Sequence, residues 1–368
     1  MRMVSGMRLT SLYAGTAVLA TALAALPAVG APRKDAVAAG ADAPAAGPKG
    51  SPHPDAQHVV LAVHGGAGGA LRRENTNPEL AKVVRKGLAD ALRAGQKVLE
   101  KGGTSVAATE DAVRSLEDNE MFNAGKGAVF NEDAGHELDA SIMRGSDQAA
   151  GAVAGVRNVR NPISAARLVM EKTKHVMLAG EGADDFAARS GLPTVTQDYY
   201  WTEARWQELL AAKGHGPASA KKQLTQGTVG AVAVDHEHNV AAATSTGGLV
   251  NKMVGRVSDS SSIGAGTYAK NGTVAASATG HGETFIRGAA TSTISNLIEF
   301  GGKDLASAAY DVLVKRLPKL GGDGGVIALN AQGVFDAPHS SAGLLNGYLT
   351  ADGKIVTRIF YDETPPNQ

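Results

Sequence analysis

At one point of this chain a glycine, a threonine and a strand start come together: Gln226-Gly227-Thr228-Val229-Gly230 leads a loop directly into an apolar run. Downstream stand Thr244-Ser245-Thr246-Gly247-Gly248 and Gly255-Arg256-Val257-Ser258-Asp259-Ser260. Gly264-Ala265-Gly266-Thr267-Tyr268 and Ala278-Thr279-Gly280-His281-Gly282-Glu283 follow. Threonine and glycine at strand ends are poor core material, so their density suggests a site. The same residues read equally well as glycine-rich turns with capping hydroxyls. The chain has no Cys, which excludes disulfides, thiolate nucleophiles and Cys-based metal sites. Thr and Ser hydroxyls are then the remaining common nucleophiles.

Other residues that could do chemistry fare less well. The His64-Gly65-Gly66-Ala67-Gly68-Gly69 stretch could cradle a phosphate through its backbone N–H groups. It lacks both the Gly-Lys-Ser/Thr ending of a P-loop and the spacing of a dinucleotide fingerprint. His136-Glu137 begins like a zinc-protease helix, but Ala140 stands where the second His belongs. His236 and His238 fall in a polar segment without a third ligand nearby, which reads as a solvated turn. No Gly-x-Ser-x-Gly elbow occurs.

The composition is that of an ordinary soluble domain. Over 368 residues, 36 Lys+Arg balance 36 Asp+Glu, without the basic excess of a nucleic-acid binder. Gly is abundant at 46 residues, with no Gly-X-Y period to suggest collagen, so tight turns and close backbone approaches are expected.

The elements that must position these residues follow from periodicity and caps. Val59–Val63 reads as a strand running into the glycine turn at His64. Asn77-Pro78 opens a helix whose apolar residues keep helical spacing until Gly102-Gly103 stops it. Thr104 caps a second helix ending near Glu117. Strands are expected near 138–143 and 150–156, and helices over 163–174 and 181–189. Residues 191–227 look least regular, with an exposed loop over 212–218. Strands 228–234 and 240–244 form a hairpin through Asp235–Asn239. Helices at 283–300 and 305–317 precede closing strands at 326–330 and 333–336 and a hairpin around 351–353. Strands cluster, then helices cluster, which suits a layered α+β fold and not a Rossmann alternation.

Arg2 and Arg8 precede an Ala-rich apolar run, Leu12–Val29, that ends in small residues up to Ala31. This describes a secretory signal over 1–31 and an exported, periplasmic protein. Pro27 breaks the run, which is short for a membrane span. Residues 32–57, rich in Ala, Pro and Gly, read as a disordered linker.

Taken in order, these motifs resemble the isoaspartyl peptidases, or plant-type L-asparaginases, of the N-terminal nucleophile hydrolases. The likeness runs from about Val59 to Leu344. It rests on the His64 glycine stretch, Leu116-Glu117 through Phe122-Asn123-Ala124-Gly125, His136-Glu137-Leu138-Asp139-Ala140, Gly227-Thr228 and the four later runs. The resemblance implies a four-layer αββα sandwich and self-cleavage before a Thr. It further implies hydrolysis of β-aspartyl dipeptides and L-asparagine. Cleavage would divide the domain into subunits 58–227 and 228–368.

The chemistry of the residues agrees. A Thr hydroxyl is a weak nucleophile until a base takes its proton. Cutting the Gly227–Thr228 bond frees an α-amino group on the same residue, with a reference pKa of about 7.7–8.0, suited to general-base work. The β-methyl of Thr restricts χ1 and helps aim the oxygen.

By matching position, the resemblance assigns Thr228 as nucleophile and Thr246 as its hydrogen-bond partner. Arg256 takes the substrate α-carboxylate and Asp259 its α-ammonium. Thr279 Oγ and the Gly280 N–H form the oxyanion hole, and Asn123 anchors the neighbourhood. Backbone carbonyls of Leu116, Glu117, Asn119, Phe122, Ala124 and Lys126 are the implied sodium ligands, with no cofactor for catalysis itself. The implied partners are a small-molecule or dipeptide substrate and a second copy, giving a dimer of α–β heterodimers, with no nucleic acid and no membrane once the signal is removed. Glycosylasparaginases usually carry Asp where Gly227 stands, and such an amidase is one alternative. A periplasmic amino-acid-binding protein using only Arg256 and Asp259 is another. His281 in the oxyanion turn and the run Asp336–His339 depart from the family pattern and leave substrate preference open.

Overall fold

A computed structural model describes residues 54–68, 71–215 and 227–363. The expected signal, and the linker up to residue 53, lie outside them, as do residues 216–218 of the expected exposed loop. The linker itself ends earlier than expected. Ala56 exchanges backbone hydrogen bonds with Phe335, and Asp55 Oδ2 pairs with Arg358 Nη1 at 2.9 Å.

The chain starts with strand β1 (Val59–Gly68). Here the sequence reading is corrected: His64–Gly68 is not a turn but the second half of this strand. It pairs with β11, described below, with a register irregularity between His64 and Gly66. Helix α1 (Pro78–Glu100) begins where Asn77 accepts a hydrogen bond from the Glu79 N–H and stops before Gly102-Gly103. Val84, Leu88, Ala91, Leu92 and Leu99 form its buried stripe, each fully buried Leu contributing about 1.5–3 kcal/mol. Thr104 accepts from the Ala107 N–H and caps α2 (Ser105–Glu117). Strands β2 (Leu138–Arg144) and β3 (Ala150–Val156) lead to α3 (Pro162–Lys172), β4 (Met177–Ala179) and α4 (Gly180–Arg189).

The segment expected to be irregular contains a further helix, α5 (Glu203–Ala212), capped by Thr202. Strands β5 (Val229–Val234) and β6 (Val240–Thr246) are the expected hairpin. Strands β7 (Thr267–Lys270) and β8 (Val274–Gly280) carry two of the threonine–glycine runs. The helix expected over 283–300 is two helices, α6 (Gly282–Gly288) and α7 (Ala290–Glu299), broken at Ala289, whose φ is +44°. Helix α8 (Leu305–Tyr310) continues as a π-helical turn, 311–316. Strands β9 (Gly324–Leu329), β10 (Phe335–Asp336), β11 (Gly343–Thr350) and β12 (Ile355–Arg358) close the fold.

Among the described residues the strands make two sheets, in the orders β12-β11-β1-β5-β6-β2-β3-β4 and β10-β9-β8-β7. Pairing is antiparallel except between β3 and β4. Three apolar clusters hold these elements. One joins α1, α2 and α3 to the larger sheet through Leu88, Leu92, Leu116, Ile142 and Ile163. The second lies between the sheets, around Val232, Ala242, Ile327, Leu329 and Phe335. The third packs α7 and α8 on the smaller sheet through Ile294, Leu313, Val326 and Phe285. Helices and antiparallel-dominated sheets are thus segregated, the α+β arrangement expected from the sequence.

Candidate active site

Thr228 stands immediately before β5, and its position follows from the β5–β6 hairpin. Val229 pairs with Ser245, so the residues flanking that pair, Thr228 and Thr246, come together where the strands meet the cavity. Their hydroxyl oxygens lie 3.1 Å apart, within hydrogen-bond range. Both side chains are buried. Thr246 is fixed in turn, its Oγ1 accepting from the Gly248 N–H at 2.9 Å.

Asn123 holds that turn from the other side. Its Nδ2 donates to the Gly248 carbonyl at 2.7 Å, and its Oδ1 accepts from the Val129 N–H at 3.0 Å. Its own carbonyl accepts from Gly247 N–H.

The peptide before Thr228 is wedged between the Gly66 backbone and the Thr279 side chain. Gly66 has φ +121°, and a Cβ there would lie 2.2 Å from the Gly227 nitrogen. A Cβ on Gly227 would lie 2.8 Å from Thr279 Oγ1. Only glycine permits both the backbone angle at Gly66 and this approach. Gly66→Ala is expected to slow any cleavage at Gly227–Thr228 by about fivefold to a hundredfold, since the strained angle alone costs about 1–3 kcal/mol. A time course on a denaturing gel checks this; cleavage at the unsubstituted rate would show that the close approach does not matter.

Thr279, near the end of β8, is fully buried and its Oγ1 accepts from the Ala67 N–H at 3.1 Å. A hydroxyl that accepts one hydrogen bond still carries a hydrogen to donate. Gly280 follows at the strand end, paired with Gly324.

Arg256 and Asp259 meet at the start of α6. A Cβ on Gly282 would sit 2.7 Å from Asp259 Oδ1 and 2.9 Å from Arg256 Nη2. Asp259 is buried, and its Oδ2 has no partner among the described residues. Burial pushes this carboxyl up to about 7, against the nearby Arg256 guanidinium, which lowers it. Arg256 is also held by Glu283, at 3.0 Å from both Nε and Nη2. The sequence reading named Glu283 without giving it this part.

Asn123, Thr228, Arg256, Asp259 and Gly280 line one cavity of about 460 Å³, while Thr246 and Thr279 lie fully buried behind its lining. His281 and Asp323 stand at its edge, His281 Nδ1 bonded to Asp323 Oδ1 at 2.7 Å. That bond holds the imidazole above its ordinary value. Arg205 and Glu208 of α5 also line it. Sequence reading missed them, although the Thr202 cap and the i,i+3 charge pair were a usable helix signal.

Beneath the site a buried polar row joins the sheets. His64 Nε2 meets Ser277 Oγ at 2.9 Å, Ser277 meets Thr244 at 2.7 Å, and Ser141 bonds Thr267 at 2.8 Å. Burial drives His64 down to about 3, the nearby Thr228 backbone opposing this, and drives His136 down to about 4. Both imidazoles are neutral at neutral pH. His236 Nε2 lies 3.0 Å from the Leu99 carbonyl oxygen and His238 Nδ1 3.1 Å from that of Ala331. Among the described residues no three His, Cys, Asp or Glu group as a metal site.

The Leu116–Lys126 segment wraps tightly after α2. Gly125, at φ +53°, lies so close to the Glu117 carbonyl that a Cβ would come within 2.3 Å of its oxygen. A Cβ on Gly127 would come within 2.3 Å of the Phe122 oxygen and 2.4 Å of that of Glu120. Lys126 Nζ stands 3.7 Å from the Glu120 carboxylate. Glu117 is fully buried; its Oε1 accepts from Ser245 Oγ at 2.6 Å and from the Ile163 N–H, capping α3. Burial pushes it up to about 8 despite these bonds.

Comparison with known proteins agrees with this geometry. The family described as asparaginase matches residues 57–359. The isoaspartyl peptidase of Salmonella typhimurium is 45% identical over 309 residues, which is 82% of this chain and 98% of that protein. Its counterpart from Escherichia coli is 44% identical over 312 residues, 83% of this chain and 97% of its own length. The isoaspartyl peptidase/L-asparaginase of Homo sapiens is 41% identical over 307 residues, 83% and 97% respectively.

Proposed function

We infer, from the premise that this chain belongs to the asparaginase family and is a hydrolase of the isoaspartyl peptidase/L-asparaginase kind, that Thr228 is its nucleophile. The observation that carries this assignment is the Thr228–Thr246 hydroxyl pair at 3.1 Å, set in the cavity that Arg256 and Asp259 also line.

In maturation, Thr228 Oγ1 attacks the Gly227 carbonyl carbon and the C–N bond breaks. The chain becomes an ester with a free Thr228 amine, and water opens the ester to a Gly227 carboxylate. In turnover, the amine takes the Oγ1 proton as that oxygen attacks the β-carbonyl of the substrate. Thr279 Oγ1 and the Gly280 N–H donate to the oxyanion, a contribution of about 10²–10³ in rate for one such donor. The proton passes to the leaving amine, and water releases aspartate from Thr228. Arg256 and Asp259 hold the two charges of the aspartyl backbone. The product subunits are 58–227 and 228–368, and the three apolar clusters support four αββα layers of the N-terminal nucleophile type.

The carbonyls crowded at Gly125 and Gly127 suit a hard cation that takes oxygen ligands. Leu116, Glu117, Asn119, Phe122, Ala124 and Lys126 would hold sodium there, away from the reacting atoms and as a brace for Asn123. The signal expected over 1–31 supports export to the periplasm, and a dimer of the cleaved pair is the assembly proposed. Among the described residues no helix is long and apolar enough to cross a membrane.

N-terminal sequencing of the fragments on a denaturing gel tests the reading: one fragment should begin at Thr228. A binding protein would remain one chain, and turnover of asparagine-linked sugar in preference to β-aspartyl-leucine would favour a glycosylasparaginase.

The pH profile is a second check. Asp259 has its carboxyl raised to about 7, so below that pH it is neutral and cannot pair with an ammonium. Its charge, and the affinity it confers, appear as pH rises through about 7. The Thr228 amine loses its proton over a similar range, with a reference value of about 7.7–8.0. kcat/KM should therefore rise from pH 6 to 9, and kcat should lose the Asp259 component because bound ammonium keeps that carboxylate ionised. His64 and His136 titrate far too low to contribute. If His281→Ala removed the rise at the higher pH, the imidazole and not the amine would be the base.

A further inference from the structure

The cavity wall also carries a charge pair with no part in the steps above. Arg205 and Glu208, on α5, are both more than nine-tenths buried, yet both line the cavity. Two of the three guanidinium nitrogens are committed. Nε donates to the Gly127 carbonyl at 2.8 Å, and Nη1 donates to Glu208 at 2.8 and 3.1 Å. Nη2 has no hydrogen-bond partner among the described residues. A chain of contacts ties this group to the reacting centre: Gly127 is two residues from Val129, which Asn123 holds, and Asn123 holds Gly248, which fixes Thr246.

A β-aspartyl dipeptide differs from asparagine in one charged feature. Its leaving residue ends in a carboxylate, whereas asparagine releases only ammonia. Arg256 and Asp259 are already matched to the two charges of the aspartyl half. The second carboxylate needs its own donor within the same cavity, and a guanidinium held at two nitrogens is already ordered to supply one. Glu208 opposes an incoming anion near Nη1, which directs the carboxylate to the Nη2 side.

Resting on the reading of this site as a β-aspartyl hydrolase, we propose that Arg205 binds the carboxylate of the leaving residue through Nη2 and so makes dipeptides the preferred substrates. Arg205 is then a specificity residue supplied by the segment that precedes the cleavage point, while the aspartyl half is bound by the segment that follows it.

The test compares β-aspartyl-leucine with β-aspartyl-leucinamide, which lacks only that charge. For the unsubstituted enzyme the kcat/KM ratio should favour the free carboxylate by about tenfold to a hundredfold, as for a hydrogen bond between charged groups. In Arg205→Gln the ratio should collapse toward one, and Arg205→Lys should fall between. A purely structural ion pair would lower both rates together and leave the ratio intact, which would overturn the proposal. A ratio near one in the unsubstituted enzyme would also overturn it, and this arm stands even if the variants fail to fold or to cleave. If the unsubstituted enzyme cleaved at Thr228 yet turned over neither β-aspartyl-leucine, nor its amide, nor asparagine, the hydrolase reading itself would fall, taking the proposal with it.

Discussion

Thr228→Ala leaves the chain uncleaved and lowers β-aspartyl hydrolysis by at least about 10⁴-fold, the scale seen when a covalent nucleophile is removed. One hydroxyl is assigned to both events, so both must fail together. The substitution removes a few atoms at a buried position whose neighbours, Thr246, Asn123 and Gly248, are held by bonds that do not depend on Thr228. A folding defect is therefore not the expected cause, and an unchanged thermal transition would verify that. Thr228→Ser keeps the hydroxyl and loses the methyl that restricts χ1. It should cleave slowly yet retain measurable turnover. The gel and a coupled assay for released aspartate report the two events separately. An uncleaved Thr228→Ala protein that hydrolysed substrate at the normal rate would remove the assignment.

What sequence reading recovered here follows from how local each signal is. Asn77-Pro78, Thr104 and the Asp235–Asn239 turn are short-range caps and turns, and each lies where expected. Thr228 and Thr246 were named as a pair from the resemblance alone; the register that brings the residues flanking Val229 and Ser245 together belongs to the folded hairpin. His64–Gly68 was misread as a turn for a physical reason. Glycine has no side chain to alternate between faces, so a strand made of it shows no period of two, and only its pairing with β11 and β5 reveals it. Helix α5 was missed because it lies in a stretch read as irregular, and nothing local shows that Arg205 is buried with its Nε on the Gly127 carbonyl, a residue 78 positions away. The break at Ala289 was read through although Gly288 precedes it, because a single glycine is tolerated inside a helix and alanine is a helix former. Glu283 shows the same limit: its bond to Arg256 is set by how α6 meets the 255–260 run, a long-range outcome.

Arg256→Lys should lower kcat/KM for a β-aspartyl dipeptide by about 10²-fold, chiefly through KM, as expected when a charge-assisted fork is lost and a point charge remains. The geometry makes this residue unlike a surface cation. Its side chain is only 15% exposed, and Glu283 already holds Nε and Nη2, so the guanidinium is ordered before substrate arrives. A lysine ammonium cannot bond Glu283 and offer a planar edge to a carboxylate at once. It also leaves Asp259 facing a shifted positive charge, and since Arg256 lowers that carboxyl against the effect of burial, the rise of kcat/KM should move to higher pH in the variant. Cleavage at Gly227–Thr228 should proceed nearly normally. The wedge around that peptide consists of Gly66, Ala67 and Thr279, and the bond that joins Ala67 to Thr279 does not involve Arg256. Separation of the two outcomes is what distinguishes substrate recognition from a general loss of structure. KM and its pH dependence measured on the fully cleaved variant decide it: a KM equal to that of the unsubstituted enzyme would place the α-carboxylate on some other group, and loss of cleavage in step with activity would make Arg256 a residue of the fold.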